Sequence, residues 1–179
     1  MYAAKIFAVA AVVAFCLSAA TVNAAEPANG GVQSRFDYLS THGNSSCAQS
    51  FTSSIAAMPA GARLRGSCCS PMVLDRYARQ LQGLKQYAKV PQVPPDPYDI
   101  EAGLAAQMMA ADRIKLNGKE QAAYDYAMQH SNEHGPCCCR CWRWRAYGGL
   151  AKLLIRGRGF TGPQLTTVWN LSDGCGGSA

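Results

Sequence analysis

The chain has 179 residues and a formal net charge of +6, from 17 Lys plus Arg against 11 Asp plus Glu. Charged residues make up 16% of the sequence, a share low enough to exclude a highly charged disordered tail. The length fits one small domain. The unusual quantity is the cysteine content, which is nine residues.

The N-terminal segment has the features of a secretory signal peptide. Lys5 supplies a basic start, residues 6–20 are uncharged and mostly apolar, and Val22-Asn23-Ala24 provides small residues for cleavage. The apolar run is shorter than the roughly 20 residues that a bilayer requires. We therefore predict a signal peptide over residues 1–24 and a mature protein that begins at Ala25. This mature protein is expected to be exported, periplasmic or extracellular, with no membrane span after cleavage.

The mature chain is predicted to be an all-α, Cys-rich single domain of about six short helices. Residues 25–33 are rich in Pro, Ala and Gly and are predicted to be a flexible leader. Over residues 34–179, apolar residues recur every three or four positions, and polar capping residues mark the helix starts. We found no alternating strand pattern. The predicted helix starts are Ser34, Cys47, Ser70-Pro71, Asp99, Asn117 with Glu120, Trp142, and Thr161 with Gln164.

Eight cysteines remain after the signal peptide, four in one window and four dispersed. The window holds Cys137, Cys138, Cys139 and Cys141, and the dispersed residues are Cys47, Cys68, Cys69 and Cys175. Exported proteins often carry disulfides, and adjacent cysteines rarely bond to each other. Each clustered cysteine can therefore pair with a dispersed one, with about 2–4 kcal/mol gained per bond. The disulfide candidates are Cys47, Cys68, Cys69, Cys138 and Cys175, and the sequence does not choose among the possible pairings.

The same cysteines are candidate ligands for a soft metal ion. A turn at Gly135-Pro136 allows the alternate residues Cys137, Cys139 and Cys141 to converge on one ion. Thiolates select Cu(I) or zinc over hard cations. Further candidate ligands are Cys138, Cys68, Cys69, Cys175, Met72 and His134. We interpret the protein as a binder of a soft metal, with copper preferred and zinc as the alternative.

Two other functions remain as alternatives, a stapled structural or interaction domain and a thiol-disulfide redox protein. The cluster precedes a predicted helix, and no acid lies between Glu133 and Asp173, so the region favours thiolates.

In Trp142-Arg143-Trp144-Arg145 the first Trp is predicted to be core, and the arginines to be solvated. Export disfavours nucleic acid as a partner. The sequence identifies no catalytic residue and does not predict an enzyme. The expected partner is a metal ion or a thiol protein, and the protein is expected to be a monomer.

The segment Pro136-Cys137-Cys138-Cys139-Arg140-Cys141 resembles the Pro-Cys-Tyr-Cys-Gly-Cys signature of exported bacterial proteins, the PCYCGC-motif or CYCXC family, which includes selenoproteins. Cys138 here replaces the Tyr, and Arg140 replaces the Gly. The family has no established activity. Its selenocysteine-containing members imply redox or metal chemistry in this region. Further similarities lie in Tyr124-Asp125-Tyr126-Ala127 and Cys175-Gly176.

Overall fold

A computed structural model describes residues 31–176, so the predicted signal peptide lies outside the described residues. Within this range the chain forms seven α-helices and one pair of short strands. None of these helices combines the length and the apolar character needed to cross a membrane. Short 3-10 turns, Ile55–Ala57 and Lys85–Tyr87, extend the second and third helices. The elements are α1 (Val32–Thr41), α2 (Gln49–Ser54), β1 (Arg63–Arg65), α3 (Leu74–Leu84), β2 (Asp99–Glu101), α4 (Ala102–Ala111), α5 (Gly118–His130), α6 (Trp142–Arg158) and α7 (Gly162–Ser172).

The predominantly helical prediction is confirmed, and two of its helix starts match the predicted capping boxes. At α5 the Asn117 side chain accepts from the Glu120 N–H at 3.0 Å, and the Glu120 carboxylate accepts from the Asn117 N–H at 2.8 Å. Thr161 and Gln164 form the same arrangement at α7. These starts were predictable because a capping box satisfies backbone donors within four residues.

Four other predicted starts are wrong, and at two of them, Ser70 and Asp99, tertiary contacts occupy the residues concerned. α2 begins at Gln49, after Cys47. α1 begins at Val32, before Ser34. α3 begins at Leu74, because the backbone N–H of Ser70 donates to the Cys175 carbonyl at 2.9 Å and so joins that residue to the C-terminal segment. Asp99 does not cap α4 but lies in β2.

The all-α prediction misses one feature, a pair of short strands. β1 and β2 pair antiparallel with Leu64 opposite Ile100, and both side chains are buried. The Asp99 carboxylate accepts from the Arg63 guanidinium at 2.7 Å and from Arg35 of α1 at 2.8 Å. Strands of three residues are too short to show alternation in a sequence, so only their partners reveal them.

The core is built around α6, which packs closely against α4, while α5 packs against α7. The indole of Trp142 is buried as predicted, together with Tyr147 and Trp169. Gly149 lies where α6 crosses α4, and a Cβ at this position would collide with the Met108 carbonyl. The glycine therefore allows the backbones of α4 and α6 to approach each other closely.

We expect Gly149→Ala to lower the free energy of unfolding by about 1–3 kcal/mol or more, because the added methyl overpacks the α4–α6 contact. The matched control is Gly157→Ala on the same helix, where a Cβ meets nothing within 4 Å. The control is expected to be neutral or to stabilise by up to about 1 kcal/mol through helix propensity. Urea unfolding followed by circular dichroism measures both, and equal effects would contradict the close approach.

Candidate metal centre

All eight cysteines of the described chain lie in one cluster, although they come from four separate segments. Cys137 and Cys175 form a disulfide that joins the loop before α6 to the C-terminal segment, 38 residues apart. The other six are free thiols. They are Cys47 before α2, Cys68 and Cys69 between β1 and α3, and Cys138, Cys139 and Cys141 before α6.

Three of the free thiols form a tight triangle. The Cys47 Sγ lies 3.0 Å from the Cys69 Sγ and 3.3 Å from the Cys139 Sγ. The Cys69 and Cys139 sulfurs are 3.4 Å apart. Since each of these residues belongs to a different loop, the triangle exists only in the folded chain.

The remaining thiols extend this triangle in two directions. The Cys138 Sγ lies 3.5 Å from the Cys69 Sγ, on the outer side of the cluster. On the inner side the Cys68 Sγ is 3.9 Å from both the Cys69 and the Cys141 sulfurs. Each free sulfur is therefore within 3.9 Å of another, and the six form one continuous network.

The cluster runs from the surface into the core. Cys69 and Cys138 are exposed, and Cys47, Cys68 and Cys139 are half-buried. Cys141 is only 3% exposed. Solvent therefore contacts the outer thiols, whereas the inner end of the cluster lies in the core.

Two residues of the first turn of α6 hold the loops that carry the dispersed cysteines. The Trp142 indole N–H donates to the Ser45 hydroxyl at 3.2 Å, close to Cys47 in the chain. The Arg143 guanidinium donates to the Gly66 carbonyl at 3.0 Å and to the Pro97 carbonyl. The start of α6 therefore positions Cys141 itself, the loop that carries Cys47 and the loop that carries Cys68 and Cys69.

Asp173 anchors the C-terminal segment that carries Cys175. Its carboxylate forms a buried ion pair with Arg76 and accepts from the Cys175 N–H at 3.0 Å. Its carbonyl accepts from the Gln80 amide at 2.6 Å. Both partners belong to α3, so this network docks the C-terminal segment on that helix beside the cluster.

The pKa values of the thiols differ between the inner and outer parts of the cluster. The pKa of Cys141 is lowered to about 5, first by its contact with the Cys68 thiol and then by the backbone N–H groups of Arg143 and Trp144 at the start of α6. Burial, followed by the contact with Cys47, raises the pKa of Cys69 to about 12. Burial also raises the pKa of the exposed Cys138. The thiol that ionises most readily is therefore the least accessible free one.

The chemical composition of the cluster is uniform. Four groups of three or more possible metal ligands lie within 4.8 Å of one another in residues 31–176, and each contains only cysteines. They include the alternate residues Cys137, Cys139 and Cys141, of which Cys137 is held in the disulfide. The described cluster can hold a metal ion, and sulfur is its donor atom.

Two further candidate ligands lie elsewhere in the structure. Met72 packs against Leu39, Tyr77 and Tyr98 in a separate small core, with its Sδ 3.8 Å from the Ser40 hydroxyl. His134 is exposed, and its Nδ1 lies 3.3 Å from the Gln129 carbonyl. Neither is a member of the sulfur groups given above.

Sequence reasoning missed the roles of two residues at this site. Arg143 was expected to be solvated, but its side chain is completely buried and interacts electrostatically with Cys68 and Cys141, so that expectation is wrong. Cys47 was considered only for a disulfide, yet it lies at a corner of the thiol triangle. No local signal identifies either residue, because their surroundings are supplied by loops distant in the chain.

Comparisons with protein-family models, curated proteins and solved structures find no match to this chain.

Proposed function

We propose that this is an exported protein that binds Cu(I) through its clustered free thiols. The observation that carries the proposal is the continuous network of six free sulfurs, each within 3.9 Å of another. The ligand groups contain no carboxylate or imidazole, so they favour a soft ion over Mg²⁺ or Ca²⁺.

Copper is preferred to zinc because of the number of free sulfurs that can reach one ion. Structural zinc is almost always held by four ligands. The group of four, Cys69, Cys138, Cys139 and Cys175, includes one sulfur that is already in a disulfide. Without Cys175 that group keeps three free thiols, Cys69, Cys138 and Cys139, and the group of Cys47, Cys68 and Cys141 also has three. Three thiolates satisfy Cu(I) without a fourth donor.

Reduced protein is expected to take Cu(I) from a competing chelator. The triple variant Cys47→Ser, Cys69→Ser, Cys139→Ser is expected to lose at least about 100-fold in affinity, because it removes the tightest group of soft donors. The measurement is a competition titration with a coloured Cu(I) chelator under anaerobic conditions, repeated with Zn²⁺ to test the preference.

The matched control is Met72→Leu, which removes a sulfur that packs in the separate small core. It is expected to bind copper as tightly as the parent protein. If the reduced parent cannot compete with the chelator, the clustered thiols do not bind copper. If the triple variant competes equally well, the triangle of Cys47, Cys69 and Cys139 is not the copper site.

A second candidate function is a structural or interaction domain that is held together by disulfides and binds no metal, and one observation favours it. Each cysteine of the window lies against a different dispersed cysteine, which is the arrangement that four disulfides require. The pairs are Cys137 with Cys175, Cys138 with Cys69, Cys139 with Cys47 and Cys141 with Cys68. In this function the cluster would only hold four segments together.

The thiol-disulfide redox function has less support. An attacking thiol must be both ionised and accessible to its partner. Here the pKa of Cys141 is low but the residue is buried, whereas the exposed Cys69 and Cys138 have raised pKa values. The proposed likeness to the CYCXC family supports the metal function only in part, since Cys139 and Cys141 of the motif are free thiols but Cys137 is held in the disulfide.

A further inference from the structure

We infer that the centre is polynuclear, so that two or more Cu(I) ions share the six free thiolates; this inference rests on the proposed function. A single Cu(I) would use three of the sulfurs and leave three thiols unused within contact distance. The arrangement of all six argues against that outcome.

The free thiols divide into two groups of three without remainder. Cys47, Cys68 and Cys141 lie within 4.8 Å of one another and form the inner group. The outer group contains the other three, Cys69, Cys138 and Cys139, which also lie within 4.8 Å of one another. Each group offers one ion three soft donors, which accounts for every free thiol of the described chain.

The two groups are too close to act as independent sites. Cys47 of the inner group lies 3.0 Å from Cys69 and 3.3 Å from Cys139 of the outer group. With metal–sulfur bonds of about 2.3 Å, three sulfurs around one ion stand about 4 Å apart. The sulfur–sulfur distances between the two groups, 3.0 and 3.3 Å, are therefore shorter than the distance of about 4 Å between the ligands of one ion. Thiolates at this boundary, Cys47 above all, are placed to bridge two ions.

A buried cation beside the cluster is consistent with an anionic, metal-filled state. Arg143 is 0% exposed and forms no salt bridge with a carboxylate of the described residues. Its two terminal nitrogens donate to the carbonyls of Gly66 and Pro97, and its Nε has no partner. A buried charge without a counterion is costly. Thiolates that ligate Cu(I) supply the missing negative charge, whereas a set of neutral disulfides does not.

The chemistry of filling the centre is an exchange of protons for metal ions. Each S–H bond is replaced by bonds from sulfur to Cu(I), the proton passes to solvent, and no electron is transferred. Each ion takes three thiolates, so two ions use the six thiols without sharing, and bridging raises the capacity. If every thiolate bridges two ions, the same six thiolates hold four.

Native mass spectrometry of protein that retains the Cys137–Cys175 disulfide and six titratable thiols, titrated with Cu(I), tests the inference. We expect two to four ions per chain, with the filled form appearing directly from the metal-free form and little of a one-ion species, because shared thiolates couple the sites. Exactly one ion at saturation would overturn the polynuclear centre and leave the proposed function standing. No bound copper at all would overturn both.

Cys138→Ser is the most discriminating variant, because the residue is exposed. Its loss leaves the inner group and the triangle of Cys47, Cys69 and Cys139 intact. A polynuclear centre that uses all six thiols is expected to lose at least one ion of capacity in this variant. A single ion on Cys47, Cys69 and Cys139 would be unaffected, so an unchanged stoichiometry contradicts the inference.

Two substitutions of Arg143 test the counterion. Arg143→Met removes the charge and is expected to weaken Cu(I) binding on the order of tenfold, whereas Arg143→Lys keeps the charge and most of the affinity. Equal affinities for both folded variants would overturn the charge-balancing role. If Arg143→Met does not fold, the Lys variant and the ion count of the parent protein still decide whether the centre is polynuclear.

Discussion

Oxidation with a small-molecule disulfide is expected to abolish the entire copper-binding capacity of the protein. Each new S–S bond removes two protons and two electrons from a pair of thiols and reduces one molecule of the added disulfide to two thiols. A sulfur in a disulfide is no longer a thiolate ligand. The measurement is the number of titratable thiols and of bound Cu(I) ions before and after oxidation, and both are expected to fall to zero.

The contacts across the cluster determine which bonds this oxidation forms. Cys138 contacts Cys69 at 3.5 Å, and vicinal pairs are disfavoured. Once Cys69 is bonded to Cys138, the remaining contact of the Cys139 Sγ is with the Cys47 Sγ, at 3.3 Å. Cys141 then pairs with Cys68, at 3.9 Å. Of the many pairings that eight cysteines allow, these contacts favour one set.

Two double variants with equal numbers of cysteines test that set. Cys68→Ser with Cys141→Ser removes a predicted pair, so oxidation is expected to leave no free thiol. Cys47→Ser with Cys141→Ser removes halves of two pairs and is expected to leave two thiols, on Cys68 and Cys139. If both variants reach zero, the sulfurs exchange partners freely and the predicted set is wrong.

Removing the Cys137–Cys175 disulfide is expected to lower the free energy of unfolding by about 4 kcal/mol. The bond closes a loop with a sequence separation of 38 and therefore restricts the unfolded chain. The double variant Cys137→Ser, Cys175→Ser removes this restriction on the unfolded chain. In the folded state Asp173 can still hold the C-terminal segment through Arg76 and Gln80. Urea unfolding of protein that retains six titratable thiols measures the effect.

Cys138→Ser is the control for this loss, since it removes one exposed thiol and no bond. Its effect is expected to stay within about 0.5 kcal/mol. With strong reductant present, the parent protein should become about as unstable as the double variant. If the difference between them persists in reductant, the stabilisation comes from packing of the two side chains and not from the covalent bond.

Part of the fold follows from local patterns in the chain. The caps of α5 and α7 and the end of α6 at Gly159, which has φ 65°, depend on residues within about one turn of the helix end. The start of α3 could not be predicted in this way, because the partner of Ser70 is Cys175 at the far end of the chain. The β1–β2 pair was missed for the same reason.

The sequence by itself determined the composition of the site: an unusual density of cysteines, a basic and acid-free segment after them, and soft donors in place of carboxylates. It left the pairing of those cysteines open. Only the tertiary structure decided that Cys47 and Cys69 meet Cys139, and that Arg143 is buried beside them. The physical reason is range, since a cap is completed within one turn of chain, whereas sulfurs 92 residues apart meet only when the core packs their loops together.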